Sequence, residues 1–279
     1  MKTDCLLLHN LTKTYGNKTA VNISSLKILP QTFTCIVGKS GCGKTTLLRL
    51  LAGLETPDQN KNASSCITGL PAKTAPVFQE PRLMPWLTVK ENIMFSLKGT
   101  DGNKQYANQN QWAVSDLSSD SENKKVKPYT QNTSSTNSDV LLSSPEDRCR
   151  QLLQELELTE AANLYPAQLS GGMAQRVSLG RTLFYDPDLI LMDEPFSALD
   201  YFTRRNLQDM VMRLFRHQAK TILFVTHDVE EALLLGDRIL VMENGNIKED
   251  LPVTLPFPRK AGNSELQKMR QSILELLAE

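Results

Sequence analysis

The stretch FTCIVGKSGCGKTTLLRLL, Phe33 to Leu51, decides how this chain folds. Its first residues, FTCIVG, form a continuous apolar, β-prone run that reads as a buried strand. Leu47, Leu48, Leu50, Leu51 and Leu54 then recur at helical spacing, which predicts a helix over 44–52 with Gly53 near its stop. Between strand and helix, Gly38, Gly43, Lys44 and Thr45 fit the pattern G-x-x-x-x-G-K-S/T in the setting that pattern requires. Glycine lets the backbone curl until successive N–H groups point inward, and the helix start adds partial positive charge. The loop Gly38, Lys39, Ser40, Gly41, Cys42, Gly43, running on through Lys44, Thr45 and Thr46, is therefore a candidate phosphate cradle. Lys44 is placed for β- and γ-phosphates, and the Thr45 hydroxyl for Mg²⁺. Cys42 contributes its N–H, and a redox role for its thiol stays open.

Composition narrows the setting. Acidic and basic residues balance at 31 each, so no net field favours nucleic acid or an anionic membrane. The five cysteines show no CxxC spacing, which argues against a disulfide framework or a zinc site and for a reducing compartment. MKTDCLLLHN turns polar too soon for a signal peptide. No run approaches the roughly 18 apolar residues of a membrane span.

Outward from the loop, residues 4–37 alternate short apolar runs with polar turns and read as antiparallel strands leading into the buried one. Thr88 can cap a helix through Leu97. From Gly99 to Ser144 the chain turns to Ser, Asn, Asp, Gln, Lys and Thr without periodicity, the pattern of a disordered polar insert. Helical spacing resumes in PEDRCRQLLQELEL and again after Ser170. LILMDE (189–194) and TILFVTHD (221–228) read as buried strands. Helices are expected over 203–216 and in VEEALLLGD, and a hairpin at Asn244-Gly245. The tail ELQKMRQSILELLAE reads as an amphipathic helix packing on its own domain. Strands alternating with helices predict an α/β fold with a mainly parallel sheet covered on both faces.

Two strand ends carry further chemistry. Asp193 and Glu194 emerge where ligands bind in such sheets. Asp193 can hold Mg²⁺ through water, and Glu194 can orient or deprotonate an attacking water. A solvated acidic strand end is the bland alternative. His227, ending FVTHD, is either a satisfied edge residue or a contact to the γ-phosphate.

The order of these motifs resembles that of the ATP-binding subunit of an ABC transporter. GKSGCGKTT looks like its Walker A and LILMDEP its Walker B. Gln79 looks like the Q-loop glutamine, LSGGM (169–173) the signature, Ser197 to Asp200 the D-loop, and His227 the switch histidine. Tyr15 matches the aromatic that stacks on adenine, with a core strand aromatic as the alternative. FQEPRLMPWLTVKENI, SALDYFTRRNLQD, HDVEEALLLGDRI and LPFPR are similar to the nitrate, sulfonate and taurine import branch.

The resemblance implies a P-loop NTPase (RecA-like) core with an antiparallel β subdomain and a helical subdomain. It implies ATP with Mg²⁺ held by Thr45, Gln79 and Asp193, and catalysis by Lys44, Glu194 and His227. It also implies a homodimer in which Ser170, Gly171 and Gly172 face the ATP of the partner chain, with Asp200 at the same junction. Membrane permease subunits and an extracytoplasmic substrate-binding protein would complete the system, with this chain peripheral on the cytoplasmic face. Leu83, Met84 and Trp86 either close the core or form a groove for a permease helix. The expected division is one domain over 1–279: nucleotide core 1–98 and 165–250, insert 99–144, helical remainder 145–164, and C-terminal helix 251–279. A soluble ABC ATPase acting on nucleic acid, ribosomes or cluster assembly is the alternative.

The chain departs from the family pattern at Gly180 and Thr182, where alanine is usual, and in the short, strand-poor segment between Pro57 and Pro76. Gly180 costs a helix interior about 1 kcal/mol relative to alanine unless close packing requires it. None of the expected site residues lies in the polar insert. Deleting residues 101–142 is expected to leave ATP turnover nearly intact in a phosphate-release assay, and a collapse of turnover would make the insert structural.

Overall fold

The computed structural model describes residues 5–58, 66–99, 144–217 and 220–278. Of the polar insert expected at 99–144, residues 100–143 lie outside the described residues. β1 (Leu6–Tyr15) and β2 (Lys18–Ile28) pair antiparallel, and the two-residue β4 (Ile67–Thr68) joins the free side of β1. Of the strand-poor segment anticipated between Pro57 and Pro76, residues 59–65 lie outside the described residues. The second sheet joins β5 (Thr74–Val77), β6 (Leu189–Asp193), β7 (Thr221–Thr226), β3 (Phe33–Val37), β8 (Arg238–Glu243) and β9 (Asn246–Pro252), in that spatial order. The pairings from β5 to β8 are parallel; β9 returns antiparallel. Asn244 and Gly245 close that hairpin with φ of 47° and 84°, the backbone that an Asn-Gly turn supplies.

Side-chain alternation sorts the central strands onto two cores. Phe33, Cys35 and Val37 of β3 face one side with Ile190, Met192, Ile222, Phe224, Ile239 and Val241. Ile36 faces the other with Leu189, Leu191, Leu223, Val225, Leu240 and Met242. α1 (Lys44–Leu51) and the β1–β2 sheet cover the second face. The first is covered by α2 (Val89–Ile93), α3 (Pro145–Glu155), α4 (Gly171–Tyr185), α5 (Tyr201–His217), α6 (Val229–Leu235) and α7 (Ser264–Ala278). α7 seats Leu266 and Ile273 in that core, so the tail packs on its own domain as expected.

Several element ends have identifiable causes. Thr88 and Glu91 form a capping box at α2. α2 stops at Ile93, earlier than the expected Leu97, and Met94–Gly99 continues as a tighter 3₁₀ turn. Phe, Ser and Gly in MFSLKG are weak helix formers. Ser144 caps α3, with Pro145 in its first turn. α5 begins at Tyr201, two residues before the expected Thr203, because Asp200 accepts the Thr203 N–H at 3.0 Å.

Gly180 of α4 sits where α4 crosses α2 and the end of α3. A Cβ there would lie 2.7 Å from Leu156 Cδ1 and 3.1 Å from Ile93 Cδ1 and Cγ1, and both neighbours are fully buried. Close packing therefore requires the glycine. The neighbouring departure, Thr182, returns its hydroxyl to Ser178 O at 3.2 Å. Gly180→Ala is expected to lower unfolding free energy by about 1 kcal/mol, overpacking of about 1–3 kcal/mol outweighing the propensity gain. Denaturant titration checks the sign.

Candidate active site on the sheet rim

The carboxyl ends of β6, β7 and β3 form one rim. β3 leaves it at Gly38, and the chain curls through Gly43, whose φ is 111°, into α1. The glycines are needed for fit as well as curvature. A Cβ at Gly43 would stand 2.0 Å from Ala20 O, and one at Gly38 2.3 Å from Met242 O. The loop is thus pressed between β2 and β8. Lys44 is buried, and its ammonium donates to Gly38 O at 2.8 Å and Lys39 O at 3.1 Å. An ammonium has three donors, and here the third points to the Cys42 thiol, so a ligand in the loop would replace these loop acceptors. The Cys42 thiol is buried beside it, 3.9 Å from Lys44 Nζ.

Thr45 joins the loop to β6, its hydroxyl donating to Asp193 Oδ1 at 3.0 Å. Burial pushes the Asp193 carboxyl up from its ordinary value; the Thr45 hydrogen bond opposes this, and neighbouring Glu194 adds to it. A cation between Thr45 and Asp193 would relieve that desolvation. Mg²⁺ in phosphate sites takes few protein oxygens and fills the rest with phosphate and water, so this hydroxyl–carboxylate pair fits it. Among the described residues there is no cluster of three or more His, Cys, Asp or Glu that could hold a metal without such a ligand.

Glu194 lies one residue past β6 with φ of 44°. Its N–H still donates to Val225 O at 2.9 Å, and its carbonyl accepts from the Ser197 hydroxyl at 2.9 Å. The left-handed turn sends its carboxylate to His227, where Oε2 and Nδ1 are 2.8 Å apart. His227 is largely exposed, so it is a rim residue rather than a core one.

Other expected residues stand nearby. Gln79 is exposed past the end of β5 and makes no hydrogen bond to this cluster among the described residues. Tyr15 is 47% exposed, which removes the core-aromatic alternative, and its hydroxyl bonds to Glu55. Ser170 caps α4 by accepting from Met173 N at 3.3 Å. No hydrogen bond joins Ser170 to the loop at Gly38 within this chain among the described residues. Gly171 and Gly172 instead abut the Asp200 segment: a Cβ on Gly172 would meet Thr203 Cγ2 at 2.5 Å, and one on Gly171 Leu199 Cδ2 at 3.7 Å. Asp200 is exposed, its carboxyl held low by the Thr203 hydrogen bonds.

Some side chains were missed in the sequence. Lys18, paired across the turn from Tyr15, brings its ammonium to 3.9 Å from a Cβ on Gly41. Gln175 donates to Phe78 O at 3.4 Å, and Arg181 donates to Pro81 O and Arg82 O at 3.0 and 3.1 Å. Buried Asn92 accepts from Met84 N at 2.8 Å and donates to Leu87 O at 3.0 Å. The segment 78–88 is thereby fastened to α2 and α4. The sequence carries no distinct signal for these side chains, since Asn92 lies beside Glu91 and Gln175 beside Arg176. Leu83 of this segment packs on the core, whereas Trp86 is 70% exposed.

The pattern of the ABC transporter family matches residues 21–197. The chain belongs to the ABC transporter family. It is 37% identical over 276 residues to the aliphatic sulfonates import ATP-binding protein SsuB of Granulibacter bethesdensis, spanning 99% of this chain and 95% of that protein. It is 38% identical to SsuB 1 of Pseudomonas fluorescens, over 96% of this chain and 84% of that one. Among solved structures it is similar to the cassette MJ0796 in a dimeric post-hydrolysis state bound to ADP and Pi, with TM-score 0.63, 28% identity, and coverage of 90% of this chain and 100% of that one. The ADP conformation of MJ1267 shares the fold at TM-score 0.68 and 22% identity, over 98% of each chain. The expected P-loop α/β fold is therefore correct, and the chain is an ATP-binding ATPase of this family.

The Tyr15 ring is half exposed with the Lys13 ammonium 5.5 Å from its centroid; if the ring takes a base as expected from the sequence, stacking contributes about 1–3 kcal/mol. Tyr15→Ala is expected to raise the KM for ATP about tenfold with kcat little changed, whereas Tyr15→Phe, which keeps the ring, stays near wild type. Steady-state kinetics on both variants checks this.

Proposed function

We propose that this chain is the ATP-hydrolysing subunit of an importer for sulfonate-like anions, working as an ATP-closed homodimer beneath separate membrane permease subunits. The importer class rests on the relatives named as sulfonate import ATP-binding proteins. The balanced charge gives no field for nucleic acid. Among the described residues no helix is long and apolar enough to cross a membrane, in keeping with a peripheral position on the cytoplasmic face. An extracytoplasmic binding protein would deliver the anion. Leu83, Met84 and Trp86 lie in the segment proposed to meet the permease.

The observation that carries the hydrolytic reading is the 2.8 Å pair of Glu194 and His227 on the rim beside Lys44, Thr45 and Asp193. In this reading Lys44 exchanges its loop carbonyls for β- and γ-phosphate oxygens. Backbone N–H groups from Gly38 to Thr46 hold the remaining phosphate charge, and Tyr15 holds the adenine. Thr45, Asp193 and Gln79 would hold Mg²⁺, which would supply positive charge against the leaving phosphate. Glu194 orients the attacking water and takes its proton; His227 fixes Glu194 and reaches toward the γ-phosphate. Ser170, Gly171 and Gly172 face the partner's nucleotide, since a serine-capped helix start is an anion receptor that its own loop does not fill. Asp200 lies at the same junction.

Glu194→Gln should still bind ATP and dimerise on it, by light scattering, while phosphate release falls about 100-fold or more, the scale of general-base loss. Wild-type turnover in that variant would remove Glu194 from its role.

A further inference from the structure

A buried polar ring runs behind the rim. Arg204, in the first turn of α5, donates to Leu199 O at 3.0 Å and Ser197 O at 3.5 Å, gripping the loop between Glu194 and Asp200. Ser197 in turn donates to the Glu194 carbonyl. On the other side stands Glu231 of α6, 6% exposed, which accepts from Gln208 Nε2 at 2.8 Å and from the Thr226 hydroxyl. Thr226 directly precedes His227, and its hydroxyl also accepts the Asp228 N–H at 3.0 Å. Arg204 and Glu231 attract each other across this ring. The Arg204 Nε is buried without a hydrogen-bond partner.

We infer that Arg204 and Glu231 are positioning residues that tie the aim of His227 to the placement of the Ser197–Asp200 loop. This inference rests on the reading of His227 and Glu194 given above. The loop touches Gly171 through Leu199 and ends at Asp200, the junction proposed above to meet a second copy. A buried unpaired donor is disfavoured. Arg204 therefore holds the loop carbonyls through Nη2 while its unpaired Nε has the Glu231 carboxylate as the nearby charge it is attracted to. When the loop is drawn outward, the guanidinium turns its free Nε to Glu231 and loosens that carboxylate from Thr226. When the loop is seated, Glu231 holds Thr226, and with it the backbone that aims His227 at Glu194.

Burial pushes the Glu231 carboxyl up, and Asp228 adds to this, while Thr226, Gln208 and Arg204 oppose it. A carboxyl raised in the folded state favours folding less as pH rises through the raised value. Glu231→Gln, which keeps the side-chain shape and an acceptor oxygen, should thus be at least as thermally stable as wild type at pH 7, the advantage fading toward pH 4.5, the ordinary carboxyl value.

The test uses the full chain with Glu231→Gln, Arg204→Lys and the double variant. Each single change should lower kcat about 10- to 100-fold, the cost of misplacing a catalytic group, with the KM for ATP held within about twofold. The double variant should be no worse than either single one, since residues in one network are not additive. The ¹⁵N signals of the His227 imidazole should shift in Glu231→Gln. Wild-type kcat, multiplied losses, or unmoved His227 signals in folded Glu231→Gln would each overturn the inference. His227→Ala separates the two readings: if it keeps wild-type turnover, the site assignment itself has failed, whatever Glu231 does.

Discussion

The register of three parallel strands is the constraint on which the rest depends. Asp193 stands opposite Val225, and Val37 opposite Thr226, so β6, β7 and β3 end within a residue of one another. Everything chemical hangs from that edge: the loop from Gly38, the carboxylates at Asp193 and Glu194, the imidazole at His227. A slip of one residue in any strand would turn its side chains to the opposite face. The slip is prohibited because both faces are fully packed, with Ile190, Met192 and Phe224 on one side and Leu191, Leu223 and Val225 on the other. The apolar burial that makes the fold stable is thus what aligns the polar rim.

What could be read from the sequence follows from the range of the interaction involved. The phosphate loop, the Thr88 cap and the Asn244-Gly245 turn are local, each requiring only a few consecutive residues to agree. LILMDE and TILFVTHD were legible as strands because a continuous apolar run has few other fates inside a two-faced sheet. The packing partners of Gly180 were not legible, because they are the side chains of Ile93 and Leu156, far off in the chain. The fasteners Gln175 and Arg181 reach carbonyls nearly a hundred residues away, and a backbone acceptor leaves no mark on sequence. The early end of α2 was missed because amphipathic spacing continued past residues whose propensity tightened the turn.

Those fasteners give the molecule a mechanical grain. Past Val77 the segment carrying Gln79 and Trp86 leaves the sheet ladder, and it is then held by Asn92, Gln175 and Arg181 from α2 and α4. Burial lowers the Arg181 guanidinium from its usual value, since desolvation disfavours the charged form. The Trp86 segment is thereby tied to α4, the helix that Ser170 caps and Gly171 begins.

The adjacent acids show how the rim divides labour. Asp193 is the last residue of the ladder, and its direction is set by the strand, toward Thr45. Glu194 keeps one ladder bond, to Val225 O, but adopts a left-handed backbone that a non-glycine residue enters at a cost of about 1–3 kcal/mol. A glycine there would relax the strain and lose the carboxylate. An ordinary strand conformation would keep the carboxylate and aim it away from His227. The strained turn is the conformation that retains the acid, the ladder bond and the 2.8 Å contact together, and Ser197 and Arg204 behind it are what hold the chain in that turn.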